Sequence, residues 1–171
     1  MILSPEPLIS AAAIRSRVGE MAEAISRDYA GRSPVLLGVL KGALHLTSDL
    51  ARAMTTPVGI EFARVSSYEG TQSTGQVTIH DQHLGWLGGR DVILVEDILD
   101  TGRTCTALLE RLRAFAPASI RLCALLDKPS RRVMQVPAHY VGFTIDDHFV
   151  VGYGLDYDEH YRELPAIHVL R

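Results

Sequence analysis

Three short, continuous apolar runs constrain the fold of this chain more than any other feature: Val35-Leu36-Leu37-Gly38-Val39-Leu40, Asp91-Val92-Ile93-Leu94-Val95, and Ser119 to Leu126. Each is rich in branched residues and lacks the alternation of a strand with one wet face. Runs of this kind belong to strands covered on both sides, the situation in a parallel sheet with helices on each face. Between them lie stretches with helical spacing. Ile14, Val18, Met21 and Ile25 recur every three or four residues behind a capping Ser10, with Gly31 as a stop. Leu46 and Leu50 share one side of Ala43–Met54, and Leu108, Leu109 and Leu112 point inward from Thr104–Phe115. Residues 58–65, 77–80, 140–143 and 149–153 read as further strands. The expected fold is α/β, a mostly parallel central sheet flanked by helices.

In such sheets ligands bind beyond the carboxyl ends of the strands. Lys41-Gly42, Glu96-Asp97 and Asp127-Lys128 follow the three buried runs, so one shared polar site is expected there. The 171 residues suit a single domain, and an apolar fraction of 47 % supplies a core. A net charge of −3 carries no basic excess, which argues against a nucleic-acid partner. No apolar run approaches a bilayer span, and residues 1–6 show neither a basic start nor an apolar stretch, so cytoplasm is the expected location. Of 17 basic residues only Lys41 and Lys128 are lysines, which marks them as positions where arginine will not serve. Cys105 and Cys123 are not in a Cys-x-x-Cys pair, have small or apolar neighbours, and read as buried free thiols.

The segment Val92 to Thr104 carries the chemistry. A buried strand delivers adjacent carboxylates, Glu96 and Asp97; a turn follows with Asp100, Thr101, Gly102 and Thr104; then a helix starts. Small and glycine residues let backbone amides approach an anion, and the helix N-terminus adds partial positive charge. The carboxylates would repel a phosphate and suit a diol, a metal ion or a proton. Together these describe a site for a sugar phosphate. Asp100-Thr101-Gly102 alone would be only a capped helix start; the strand and the acid pair in the same run favour the functional reading. Neither a P-loop nor a dinucleotide fingerprint is present.

Val95 to Thr104 resembles the phosphoribosyl-pyrophosphate (PRPP) motif of type I phosphoribosyltransferases. Other segments narrow the resemblance to the hypoxanthine and hypoxanthine-guanine phosphoribosyltransferases. Leu37–Gly42 resembles that family's first loop. Ser66-Ser67-Tyr68 with Ser73-Thr74-Gly75 resembles its flexible loop. Leu125–Pro129 with Arg131-Arg132 resembles its base-recognition segment, and Phe149–Tyr157 with Arg162–Pro165 its C-terminal signature. The match runs in order from about Ser33 to Ile167.

The resemblance implies a core over about residues 33–145 and a small hood from residues 1–15 and 146–171. It implies Mg²⁺-dependent transfer of the phosphoribosyl group from PRPP to N9 of hypoxanthine, and of guanine, with release of pyrophosphate. Asp100 would be the general base at purine N7. Glu96 and Asp97 would address the ribose hydroxyls, directly or through Mg²⁺. Thr101, Gly102, Arg103 and Thr104 would hold the 5′-phosphate. Lys41 and Gly42, joined to Leu40 by a cis peptide, would hold pyrophosphate together with Arg162. Lys128 would donate to purine O6, Phe149 would stack on the base, and Val150 would meet its edge. Asp156 would complete the purine side and bind Mg²⁺. Ser66, Ser67 and Tyr68 would work in a loop that excludes water. Homodimers or homotetramers are implied as well.

Two features sit outside this pattern. The family's Ile-Pro-Asp or Ile-Pro-Asn before the aromatic is here Ile145-Asp146-Asp147-His148. Arg131 and Arg132 read either as a solvated pair or as a subunit contact. The rival functions are transfer to another base, and a PRPP-sensing regulator that binds RNA; Lys128 opposes the first, the acidic balance and Asp100 the second.

Overall fold

The buried runs become adjacent strands. In the computed structural model, which describes residues 2–67, 77–80 and 83–171, strand β1 (Val35–Leu40) lies between β2 (Gly59–Ser67) and β4 (Asp91–Leu99). Strands β5 (Ser119–Asp127) and β6 (Tyr140–Thr144) extend one side, and β3 (Val77–His80) closes the other. The order is β3-β2-β1-β4-β5-β6, parallel except for β3, which runs antiparallel to β2. Because β1 leads outward to β2 and β4 leads outward to β5, a crevice opens between the carboxyl ends of β1 and β4, where such sheets bind ligands.

Each face of the sheet has its own core. On one side, helices α1 (Ala11–Asp28) and α2 (Leu44–Ala53) pack Ile14, Val18, Met21, Ile25, Leu46 and Leu50 against Leu36, Ile93, Val95 and Leu125. On the other, α3 (Arg103–Arg113) packs Cys105, Leu108 and Leu112 against Val35, Leu37, Leu94 and Leu122. Residues alternate between these two cores along β1 and β4, which is why neither strand shows a polar face in sequence. Ser10 caps α1, its Oγ accepting from the Ala13 amide at 3.2 Å.

The sequence reading places the strand ends well except at β4. That strand continues to Leu99, so Glu96 and Asp97 lie within it rather than after it. Glu96 pairs with Ala124, and Ile98 with Leu126. Carboxylates look like strand terminators in sequence, but here a buried ladder carries them into the site. Cys105 and Cys123 are buried free thiols. Burial pushes Cys123 up to about 12 and Cys105 upward too, so both stay protonated at neutral pH.

A second, two-stranded sheet joins β7 (Val150–Val151) to β8 (His168–Val169). The start of the chain pairs with its end, through Leu3 with Leu170 and Ile9 with Ile167. This hood touches the central domain at Gly154. A Cβ there would lie 2.0 Å from the Gly42 carbonyl oxygen, and the backbone has φ +103°. Only glycine, which lacks a Cβ, satisfies both conditions at this position.

Gly154→Ala is expected to lower stability by roughly 2–4 kcal/mol, the range of backbone strain joined to a clash. Gly19→Ala, mid-helix in α1 with nothing within 4 Å of the new methyl, is expected to raise it by about 0.5–1 kcal/mol. Urea unfolding of both variants checks this pair of opposite signs.

Candidate functional site

A cleft of about 380 Å³ opens at the crevice between β1 and β4, lined by Leu40, Gly42, Glu96, Asp97, Asp100, Thr101, Gly102 and Thr104 among others. The expected turn residues and the first loop therefore meet in one place. The Leu40–Lys41 peptide is cis. Gly42 lies against Asp97 so closely that a Cβ would fall 1.7 Å from Oδ2. The other Asp97 oxygen, Oδ1, accepts from the Ile98 amide at 2.7 Å. Asp97 thus backs the Lys41-Gly42 loop and stands at the floor of the cleft.

The turn after β4 is built for an anion. Gly102 takes φ +84° and caps α3, with the carbonyl of Met134 only 2.4 Å from where a Cβ would sit. The first intrahelical bond runs from the Thr106 amide to the Gly102 carbonyl, so the amides of Arg103, Thr104 and Cys105 precede the ladder at the positive end of the helix dipole. Arg103 and Thr104 are exposed.

Two carboxyl groups pay for this placement. Glu96 is buried, and burial together with Asp97 raises its pKa well above the ordinary value. Its one hydrogen bond with a described residue comes from the Cys105 thiol, at 3.7 Å to Oε1. Burial pushes Asp97 up to about 6. Neither group forms an ion pair with a described residue. Two adjacent acids, costly to ionise and unpaired by cations among the described residues, fit a ligand that brings hydroxyl donors or positive charge. No group of three or more potential ligands forms a metal cluster among the described residues.

On the far side of the turn, Lys128 is only 6 % exposed. Its ammonium donates to the His148 carbonyl and lies 3.8 Å from Asp147. An ammonium has three donors, and the one hydrogen bond it makes with a described residue holds it beside the Phe149 backbone. Phe149 is half exposed, its ring edge-to-face with Tyr157 at 5.9 Å and 87°. The ring is therefore displayed rather than buried. Val150 next to it is buried in β7.

The two arginines left open in sequence both serve this turn. Arg132 donates from Nε to the Asp100 carbonyl at 2.9 Å and from Nη2 to the Leu99 carbonyl at 3.0 Å, and pairs with Asp127. Arg131 sits 3.0 Å from Asp100 Oδ1 and 3.5 Å from Asp147. The amides of Val133 and Met134 donate to the Thr101 carbonyl, both at 2.9 Å. Residues 128–134 therefore strap the Asp100 turn to the Lys128 pocket. Their spacing after β5 gives no hint of this, because the acceptors come from β4.

The hood brings further charges near Asp97. Arg162 donates to the Gly154 carbonyl at 2.7 Å and pairs with Asp156 at 2.9 Å. Lys41 reaches Glu159 across the cleft at 2.7 Å. Ser66 and Ser67 end β2, while Tyr68 lies outside the described residues, as do Ser73, Thr74 and Gly75.

Residues 9–158 match the phosphoribosyl transferase domain family. A hypoxanthine-guanine phosphoribosyltransferase of Streptococcus pneumoniae is 41 % identical over 165 residues, 96 % of this chain and 92 % of that protein. The bifunctional protein TilS/HprT of Listeria monocytogenes is 42 % identical over 96 % of this chain, which spans only 26 % of that longer relative. A solved hypoxanthine-guanine phosphoribosyltransferase of Bacillus anthracis has a TM-score of 0.93 and 39 % identity, covering 99 % of this chain and 100 % of that one. A Trypanosoma cruzi hypoxanthine phosphoribosyl transferase, studied for the role of its C-terminal region in oligomeric state and activity, gives 0.91 and 40 %, covering 100 % and 93 %.

The buried acid yields a test on stability. A carboxyl whose folded pKa is raised stays protonated in the folded chain while the unfolded chain ionises, so stability falls as pH rises from about 4.5 toward the raised value. Glu96→Gln removes that loss. Its melting temperature should match the parent near pH 4 and exceed it at pH 8, by roughly 3–5 °C for each pKa unit relieved. Thermal melts across pH check this.

Proposed function

The chain belongs to the phosphoribosyltransferase family, and on that premise we propose that it transfers the 5-phosphoribosyl group of PRPP to N9 of a 6-oxopurine, hypoxanthine and also guanine. The products are the purine mononucleotide and pyrophosphate. The observation that carries the reading is the strap joining Asp100, in the anion-binding turn, to Lys128 in the base pocket. It supports the reading because one connected segment ties the turn proposed to cradle the sugar phosphate to the ammonium proposed to read the purine.

Each residue then has a chemical task. The amides from Thr101 to Thr104 hold the 5′-phosphate at the start of α3. Glu96 and Asp97 take the ribose hydroxyls, whose donors answer the two acids. Lys128 points its remaining donors at the base oxygen O6. Adenine offers an amino group there, and a buried ammonium facing an amino group loses its partner, which gives strong discrimination. Phe149 stacks on the base with Tyr157 bracing its edge, and Val150 meets the rim. Asp100 accepts the purine proton at N7 as the ribosyl bond forms at N9. Lys41, Gly42 and Arg162 receive the diphosphate. Ser66, Ser67 and Tyr68 belong to the segment assigned to water exclusion.

The acid set fits Mg²⁺, which takes one or two carboxylates and completes its shell with substrate oxygens and water. The Asp156 charge helps to raise the pKa of Asp97, and Glu96 adjoins Asp97. One or two of these carboxylates would hold the ion at a time, with substrate oxygens and water as the other ligands, and its charge would offset that developing on the leaving diphosphate. The assembly is proposed to be a homodimer or homotetramer in the cytoplasm, in keeping with the family. No helix among the described residues is long and apolar enough to cross a membrane.

Pyrophosphate release from PRPP and Mg²⁺ should appear with hypoxanthine and guanine, and not with adenine or uracil; silence with every base overturns the reading. Asp100→Asn is expected to lower kcat by roughly 10²–10⁴ with PRPP binding retained. Lys128→Ala should raise the purine KM by roughly 10- to 100-fold while leaving the KM for PRPP near its starting value. Steady-state kinetics of the two variants separate these roles.

A further inference from the structure

Glu159 lies between the two cations assigned to pyrophosphate. Its Oε2 is 2.7 Å from the Lys41 ammonium and its Oε1 is 3.6 Å from Arg162 Nη2. The Lys41 ammonium, with help from Arg162, holds this carboxyl below the usual range, so it is an anion through the neutral region.

Its placement is imposed by the backbone. Asp158 and Glu159 both take positive φ, +51° and +64°, in a turn closed by the bridge between Tyr157 and His160. The Glu159 amide donates to Asp156 Oδ2 at 2.9 Å, and Asp156 Oδ1 is the partner of Arg162. Two side chains of opposite charge are thus locked into one turn, and the turn delivers a third, Glu159, across the cleft to a different element. Non-glycine residues seldom adopt such φ values in succession. Positive φ at both central residues is what a two-residue hairpin turn demands, and it fixes the direction in which Glu159 leaves the turn.

We propose that Glu159 is an internal competitor for the diphosphate subsite: its carboxylate engages Lys41 and Arg162, and a bound diphosphate must displace it. The inference rests on the phosphoribosyl-transfer reading, in which those two cations receive the leaving group. Its consequence is a specificity setting. The site discounts the affinity of its own product, because pyrophosphate must break two ion pairs to bind, and release is helped by a carboxylate ready to return. The Lys41 pair is exposed and Arg162 is only partly buried, so the competition is a modest, salt-sensitive one.

The test is calorimetric binding of magnesium pyrophosphate to the full chain at low ionic strength, for the parent, Glu159→Gln and Asp158→Asn. Glu159→Gln is expected to bind roughly two- to five-fold more tightly, the range one exposed ion pair supplies. The gain should shrink in high salt. Asp158→Asn removes the same unit of charge from the neighbouring residue, and it is expected to bind like the parent. Equal or weaker binding by Glu159→Gln, the latter being the mark of a carboxylate that holds the metal, overturns the proposal and leaves the transferase reading intact. Equal tightening by Asp158→Asn also overturns it, since the effect would then be general charge. If the parent itself binds no pyrophosphate, the assignment of Lys41 and Arg162 falls, and this proposal falls with it.

Discussion

The site depends on two close approaches stacked at Gly42. Below it, Asp97 of β4 fills the space a side chain would need. Above it, the Gly42 carbonyl fills the space of a side chain on Gly154 in the hood. One residue without a Cβ therefore holds strand, first loop and hood at contact distance, and the cis peptide before Lys41 lies in that stack. A larger residue at position 42 would have to displace the Asp97 carboxylate. The contact at Gly154 explains why the hood, whose own sheet has only two short strands, still presents Arg162 and Asp156 at a defined distance from the central sheet.

Around this stack the charges divide into two kinds. Glu96 and Asp97 are placed where ionisation is costly, and the fold gives them no cationic partner among the described residues. Lys41, Arg131 and Arg162 are each matched by a carboxylate within 3.0 Å. On the proposed reading, the first kind is answered by ligand and the second exchanges a protein partner for a ligand one. A site of that design would gain selectivity from the unsatisfied groups and reversibility from the matched ones, since pairs near the surface are weak and exchange readily.

Much of this was legible in sequence because it is local. The buried strands appear as apolar runs, α1 appears with its Ser10 cap, and the turn from Asp100 to Thr104 keeps its chemistry within five residues. The rest depends on partners far apart in the chain. Arg131 and Arg132 read as surface charge because their acceptors, Asp100 and Leu99, lie about 30 residues upstream. Glu159 reads as part of an acidic loop because Lys41 is 118 residues away. Phe149 follows a strand-like pattern that fits a core residue equally well, and only the structure shows its ring half exposed. The acid pair misled in the opposite direction: charge suggested the end of β4, while ladder pairing with β5 carries the strand through it.

The scarcity of lysine gains a physical meaning from the same geometry. Arg132 spans two backbone carbonyls and the Asp127 carboxylate with one planar group, an arrangement that needs a fixed fork of donors. Arg162 does the same for the Gly154 carbonyl and two carboxylates. Lys128 and Lys41 have other requirements. Lys128 sits in a buried pocket with one carbonyl at its tip, where a guanidinium would bury donors it could not satisfy. Lys41 extends from a loop across open space to a single carboxylate, where a flexible stem ending in a point charge can swing between protein and ligand. In a chain that otherwise uses arginine for its basic positions, the two lysines stand where the charge must be compact: one buried against a single carbonyl, the other extended to a single carboxylate, which is what the proposed roles at a base oxygen and at a diphosphate would require.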